Sequence, residues 1–94
     1  MRVHWTTPAR EQFVSAYEFI AGENRRAAAR TAVRIWKSAE GLAIHPMAGR
    51  EGRVAGAREL VVPGTPFIVA YRLERNEVQI LAVMHAARKW PEEF

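Results

Sequence analysis

The chain has 94 residues, 49% of them apolar, with three Trp, four Phe and two Tyr; this suffices for one domain over residues 1–94 with one core and argues against a disordered chain. It has no cysteine and only three scattered histidines, which excludes disulfides and thiolate metal sites and leaves neither a metal nor a cofactor to be expected. The net charge is +4, no apolar run nears the roughly 20 residues needed to cross a bilayer, and no signal-peptide pattern opens the chain, so the expectation is a cytoplasmic protein, free of membranes, that meets an acidic partner.

Residues Arg2 to Thr6 alternate polar and apolar side chains, as a strand does, and lead directly into Thr7-Pro8. Thr7 is suited to cap a helix and Pro8 to its first position, where a missing N–H costs nothing. That helix should run from Pro8 to Ala21, with Phe13, Val14, Tyr17 and Ile20 on one face and Gly22 ending it. Asn24 can cap a second helix whose apolar seam is Ala28, Ala32, Ile35, Ala39 and Leu42. Its small residues allow close approach to the first helix, so the two should form a hairpin. The second helix should stop near His45, because Pro46 disfavours helical angles in the residue before it.

From Pro46 to Gly56, glycines among Arg50, Glu51 and Arg53 read as a mobile charged loop. Three strands are then expected at Ala57 to Val62, Phe67 to Glu74 and Glu77 to His85. Pro63-Gly64-Thr65-Pro66 makes the first turn, and Arg75-Asn76 is short enough for a tight hairpin. The order β-α-α-β-β-β predicts an α+β fold, with a helical hairpin packed on one face of a small, twisted, mainly antiparallel sheet and the other face partly open.

Charge is uneven along this plan. Between Arg25 and Arg58 eight cations face only Glu40 and Glu51, and the cations of the chain are almost all arginine, Lys37 and Lys89 being the lysines. Arginine suits bidentate contact with phosphate or carboxylate. On the second helix Arg26, Arg30, Arg34 and Lys37 follow at near-helical spacing; with Arg50 and Arg53 they are the candidate contacts to phosphate or to an acidic partner.

Several segments together resemble the RelE/ParE toxins of bacterial type II toxin–antitoxin systems: W-T-x-x-A-R from Trp5, G-R-E-G-R-V from Gly49, G-A-R-E-L-V-V from Gly56, T-P-F-I-V-A-Y-R from Thr65, and I-L-A-V-M-H-A-A-R-K-W-P from Ile80. Each is short and degenerate, but their order and spacing are fairly specific and span nearly the whole chain. The resemblance implies a growth-inhibiting toxin of a plasmid-stabilisation or addiction module, held in a hetero-oligomer by a cognate antitoxin that is acidic and DNA-binding. It also implies two possible targets. One branch of the family cleaves mRNA on the ribosome; the other poisons DNA gyrase.

RNA cleavage without a metal needs a base, an acid and cations for the developing phosphorane charge. Glu51 or His85 could move protons, and Arg50, Arg58, Arg72 and Arg88 could bind phosphate. The main catalytic candidates are therefore Arg58, Arg72, His85 and Arg88. Strand alternation puts Arg58 with Leu60 and Val62 opposite Glu59 and Val61, and Phe67, Val69 and Tyr71 opposite Ile68, Ala70 and Arg72. On the last strand it sets Val78, Ile80, Ala82 and Met84 against Gln79, Leu81, Val83 and His85. Both sheet faces are then largely apolar, and Ile68 stands near where the family's nucleases commonly carry a cation. His85 could equally be a strand-end histidine bonded to backbone, and Arg58 could hold the loop or meet an antitoxin carboxylate. Trp90 could anchor a partner or close the core. The sequence thus leans to a gyrase-binding toxin, with a ribosome-dependent mRNA endonuclease as the alternative and a chain that only binds antitoxin as a third possibility.

Overall fold

The computed structural model describes residues 1–94. Strand β1 spans Arg2–Trp5, helix α1 Thr7–Ala21 and helix α2 Arg25–Gly41; β2 is the short Arg50–Glu51, followed by β3 at Arg58–Val61, β4 at Phe67–Glu74 and β5 at Glu77–His85. The five strands lie in the order β1-β5-β4-β3-β2, β1 parallel to β5 and every other pair antiparallel. The α+β class and the mainly antiparallel sheet agree with the expectation from sequence.

Helix α1 begins one residue earlier than its composition suggested. Thr6, not Thr7, is the cap: its Oγ1 accepts from the Ala9 N–H at 3.4 Å and donates to the Ile80 carbonyl at 2.7 Å. The Thr6 N–H also reaches the Ile80 carbonyl, at 3.1 Å. The end of β1 is thus tied to β5, and this selects between two adjacent threonines of equal capping ability. Asn24 caps α2 as expected, its Oδ1 accepting from the Ala27 N–H at 3.0 Å. That helix ends at Gly41, with turns carrying the chain to Pro46.

Both helices lie on one face of the sheet. Ile35, Ala39 and Leu42 from the α2 seam and Ala9 from α1 pack with Val62, Val69, Tyr71, Val78, Ile80 and Val83, and all of these are buried. Trp5 extends this core outward: it stacks on Trp36 with ring centroids 5.6 Å apart, and its Nε1 donates to Glu40 at 3.1 Å. At the β4–β5 hairpin Arg75 and Asn76 both take positive φ, 52° and 60°. That geometry matches the right-handed twist of the strands it joins.

Strict alternation fails on β5. Ala70 pairs with Ala82 but Tyr71 pairs with Ile80, so Leu81 is an extra residue opposite the Ala70/Tyr71 step. Such a bulge reverses which face the following side chains occupy. Val78 and Ile80 therefore face the helices together with Val83, while Ala82 and Met84 join Ala70 on the far face. The far face is also less open than expected, because Trp90 packs against that Ala70–Ala82–Met84 patch.

Candidate functional site

The Pro46 to Gly56 segment, expected to be mobile, is held at several points. Tyr71, buried on β4, donates its hydroxyl to the Pro46 carbonyl at 2.7 Å and accepts from the Gly49 N–H at 2.9 Å. Arg58 on β3 reaches the Gly49 carbonyl with Nε at 3.1 Å and Nη2 at 2.6 Å, and the Met47 carbonyl with Nη2 at 3.4 Å. Both backbone polar groups of Gly49 are thus satisfied from the sheet. A Cβ there would fall 2.6 Å from Tyr71 Cε1 and 2.8 Å from the Glu59 carbonyl oxygen, so only glycine fits. Arg50 and Glu51 then pair with Glu59 and Arg58 as β2, a strand too short to show in a hydropathy pattern.

Glu59 organises the opposite side of β3. It is 3% exposed and accepts from the Arg53 N–H at 2.7 Å, from Arg53 Nε at 3.0 Å and Nη2 at 3.1 Å, and from Arg50 Nη2 at 3.5 Å. Burial pushes its carboxyl upward; the hydrogen bonds and charge of Arg53, with Arg50 adding to them, outweigh this and hold it below the usual carboxylate range. The Arg53 guanidinium also sits 3.9 Å over the Trp90 ring, in cation–π geometry. A line of contacts therefore runs from Glu59 through Arg53 to the C-terminal segment. The Trp90 Nε1 lies buried there without a partner.

The four catalytic candidates do not converge. Arg58 shares the helix-side face with its partner Tyr71, and its guanidinium is taken up by the loop carbonyls. Arg72 lies on the far face, opposite Gln79. Only His85 and Arg88 come together, lining a groove of about 430 Å³ with Gln12, Ser15 and Phe19 of α1 and Phe67 of β4. The His85 ring meets Phe67 edge-on at 5.6 Å, and its Nδ1 accepts from the Ala87 N–H at 3.1 Å. Exposed Glu51 sits on β2, away from this groove. Ile68 is buried, 4% exposed, and offers no charge on the middle strand.

The basic stripe of α2 is only partly free. Arg26, Arg30 and Lys37 are exposed, but Arg34 Nη1 lies 3.5 Å from the Pro63 carbonyl, against the β3–β4 turn. Arg50 and Arg53 are paired with Glu59. Trp90, a candidate partner anchor, is instead packed on its own sheet. The sequence reading missed Tyr71 and Glu59 as organising residues. An acid directly after Arg58 and close to Arg50 and Arg53 was a usable signal for Glu59, although Glu51 carried the same signal; Tyr71 looked like one more apolar strand residue. Gln12, Ser15 and Phe19 lie off the seam of α1, and nothing in the sequence linked them to His85.

No helix is long and apolar enough to cross a membrane. The profile of a protein family described as the ParE toxin of the type II toxin–antitoxin system, parDE, matches residues 3–90. A toxin-designated protein of Sinorhizobium fredii, Y4kP, is 40% identical over 91 residues, covering 97% of this chain and 94% of that protein. Toxin RelE2 of Caulobacter vibrioides is 34% identical over 87 residues, covering 93% and 97% respectively. Among solved structures, a chain of the chromosomal ParDE toxin–antitoxin system from P. aeruginosa is similar with a TM-score of 0.80 at 25% identity, over 90% of this chain and 95% of that one.

Proposed function

The chain belongs to the ParE toxin family of type II toxin–antitoxin systems, and from that premise we propose that it arrests growth in the cytoplasm by binding and poisoning DNA gyrase rather than by cutting RNA. As a toxin of this type it has a cognate antitoxin as partner. The observation that carries the gyrase reading is the dispersal of the ionisable groups that cleavage would need. Arg58 is engaged by the Gly49 and Met47 carbonyls, Arg72 lies on the other face, and His85 and Arg88 stand together without a carboxylate beside them. Metal-free cleavage needs base, acid and phosphate-binding cations within hydrogen-bond reach of one reacting centre. A toxin that acts by binding needs only a shaped, charged surface.

The same surface suits an acidic antitoxin, itself DNA-binding. Arg26, Arg30 and Lys37 are exposed along α2, and their carboxylate partners would come from the antitoxin. Arg34, Arg50 and Arg53, already engaged within the chain, would serve such a partner at its margins. A second reading, ribosome-dependent mRNA cleavage, keeps support from the 34% identity to a toxin of the RelE name and from the pairing of His85 with Arg88.

The two are separated by inducing the chain in cells without its antitoxin. Gyrase poisoning is expected to relax plasmid DNA and raise the DNA-damage response while translation continues, and purified toxin should inhibit supercoiling by gyrase. Arrest of translation with intact DNA topology, and breaks mapped within mRNA by primer extension, would overturn the proposal in favour of the nuclease.

A further inference from the structure

The outward face of the helical hairpin is apolar along its middle and oppositely charged along its two margins. Val14 and Tyr17 of α1 and Val33 and Trp36 of α2 are 50%, 40%, 51% and 49% exposed. Within each helix the two lie three residues apart and so on one side, away from the buried Ala9 of α1 and the buried Ala28, Ile35 and Ala39 of α2. Ser15 and Phe19 mark the flank of α1 turned to the end of β5, and between Ser15 and Val14 on the helix surface lie Glu11 and Glu18, both exposed. On α2, Arg34 marks the flank turned to the β3–β4 turn, and Trp36, stacked on Trp5, the flank turned to α1. Between Arg34 and Val33 lie the exposed Arg26, Arg30 and Lys37. Both ion pairs of the chain involve Glu59, so neither margin is neutralised internally. The only acid of α2, Glu40, accepts from the Trp5 indole.

An acidic partner matches one half of this face, whereas a second copy of the chain matches all of it. We propose that the chain self-associates through the hairpin as a two-fold dimer, α1 of each copy lying on α2 of the other. A two-fold axis running along the helices sets acidic margin on basic margin; an axis across them would set like charge on like charge. The register follows from the connection. Only Gly22 to Asn24 joins the helices, so they run antiparallel, with Glu18 level with the turn from Arg26 to Arg30 and Glu11 level with Lys37. Glu18 of one copy therefore meets Arg26 and Arg30 of the other, Glu11 meets Lys37, and the axis repeats each pair. Val14, Tyr17, Val33 and Trp36 fill the middle. Helices of 15 and 17 residues are roughly 22–25 Å long and pack about 8–10 Å apart. Such a face is smaller than a standard interface of about 800 Å² per partner, which fits a dimer that exchanges in the micromolar range. The inference goes beyond the choice between gyrase and ribosome and rests on neither. It concerns the free toxin, since an acidic antitoxin on the same cations would exclude the second copy.

Sedimentation velocity of the purified full chain, followed across the micromolar range at low salt, tests this, and the mass should rise from one chain toward two. Val33→Glu, at an exposed site, should hold the chain at one. Glu11→Lys/Glu18→Lys and Arg26→Glu/Arg30→Glu/Lys37→Glu should each weaken self-association about tenfold or more, because each sets like charges against each other. Mixed in equal amounts, the two reversed chains should associate, each supplying the margin that the other lacks. Circular dichroism melts show that the variants fold. In the unaltered protein the amide resonances of Val14, Tyr17, Val33 and Trp36 should shift with concentration while those of β4 stay in place, a readout that needs no variant. A native chain that stays monomeric across this range, a dimer unmoved by Val33→Glu, or folded reversed chains that fail to pair when mixed would each overturn the proposal.

Discussion

Replacing Tyr71 with phenylalanine removes a single oxygen from the core and should loosen the loop before β3. The hydroxyl joins the Gly49 N–H at 2.9 Å to the Pro46 carbonyl at 2.7 Å, and both Tyr71 and Gly49 are buried. The half-buried Pro46 carbonyl can find water, but the Gly49 N–H has no second acceptor. A buried donor left unsatisfied costs about 1–3 kcal/mol, so Tyr71→Phe should lose about 2 kcal/mol. In a domain of this size each kcal/mol lowers Tm by roughly 4–8 °C, which makes the expected fall roughly 8–16 °C. Thermal unfolding of the purified chain measures this, and amide exchange should show Gly49 losing protection while the β4–β5 amides keep theirs. Arg58→Gln releases the Gly49 carbonyl from the other direction. The double variant should therefore depart from additivity by about 0.5 kcal/mol or more, as expected for groups acting on one element. A Tm within about 3 °C of the parent, with Gly49 exchange unchanged, would refute the claim that Tyr71 holds this loop.

Other consequences can be measured separately. Glu59 has a folded-state pKa below its unfolded value; its contribution is thus present above the unfolded pKa, about 4.3, and is lost as pH falls through the folded pKa. Glu59→Gln should flatten this acid limb in a plot of Tm against pH and, at neutral pH, cost on the order of 2 kcal/mol. Gly64, with φ +73° and the Arg34 guanidinium where a Cβ would go, should lose roughly 1–2 kcal/mol on Gly64→Ala because of the left-handed backbone, and Arg34→Ala should not recover that loss in urea denaturation. Arg26→Glu/Arg30→Glu should weaken capture of an acidic antitoxin, slowing association most at low salt, while Tm stays within a few degrees; unchanged association kinetics would remove the α2 face from that interface.

The elements whose cause is local were readable from the sequence. The α2 seam needs only helical spacing and an Asn cap, and the two-residue Arg75-Asn76 hairpin sits between runs long enough to be strands. The features that were not readable depend on contacts distant in sequence. The helix cap moved to Thr6 because Ile80, 74 residues away, supplies its hydrogen-bond partner. The loop looked mobile because its restraints come from Tyr71 and Arg58 on other strands.

The bulge at Leu81 had the largest effect on the functional reading. With unbroken alternation, Ala82 and Met84 would face the helices and Val83 and His85 would face away. One extra residue exchanges them, and three consequences follow from that exchange. Val83 enters the main core, and Ala82 and Met84 make with Ala70 a patch of small side chains on which Trp90 can lie. His85 is carried to the α1 side, where it lines a groove with Arg88 and Phe19. Arg72, upstream of the bulge on β4, stays on the far face opposite Gln79. The sheet irregularity that gives Trp90 its seat thus also parts His85 from Arg72, two groups a shared catalytic centre would need on one face. Here the geometry of one strand weighs on the choice between a cutting and a binding toxin more than the identity of any single residue does.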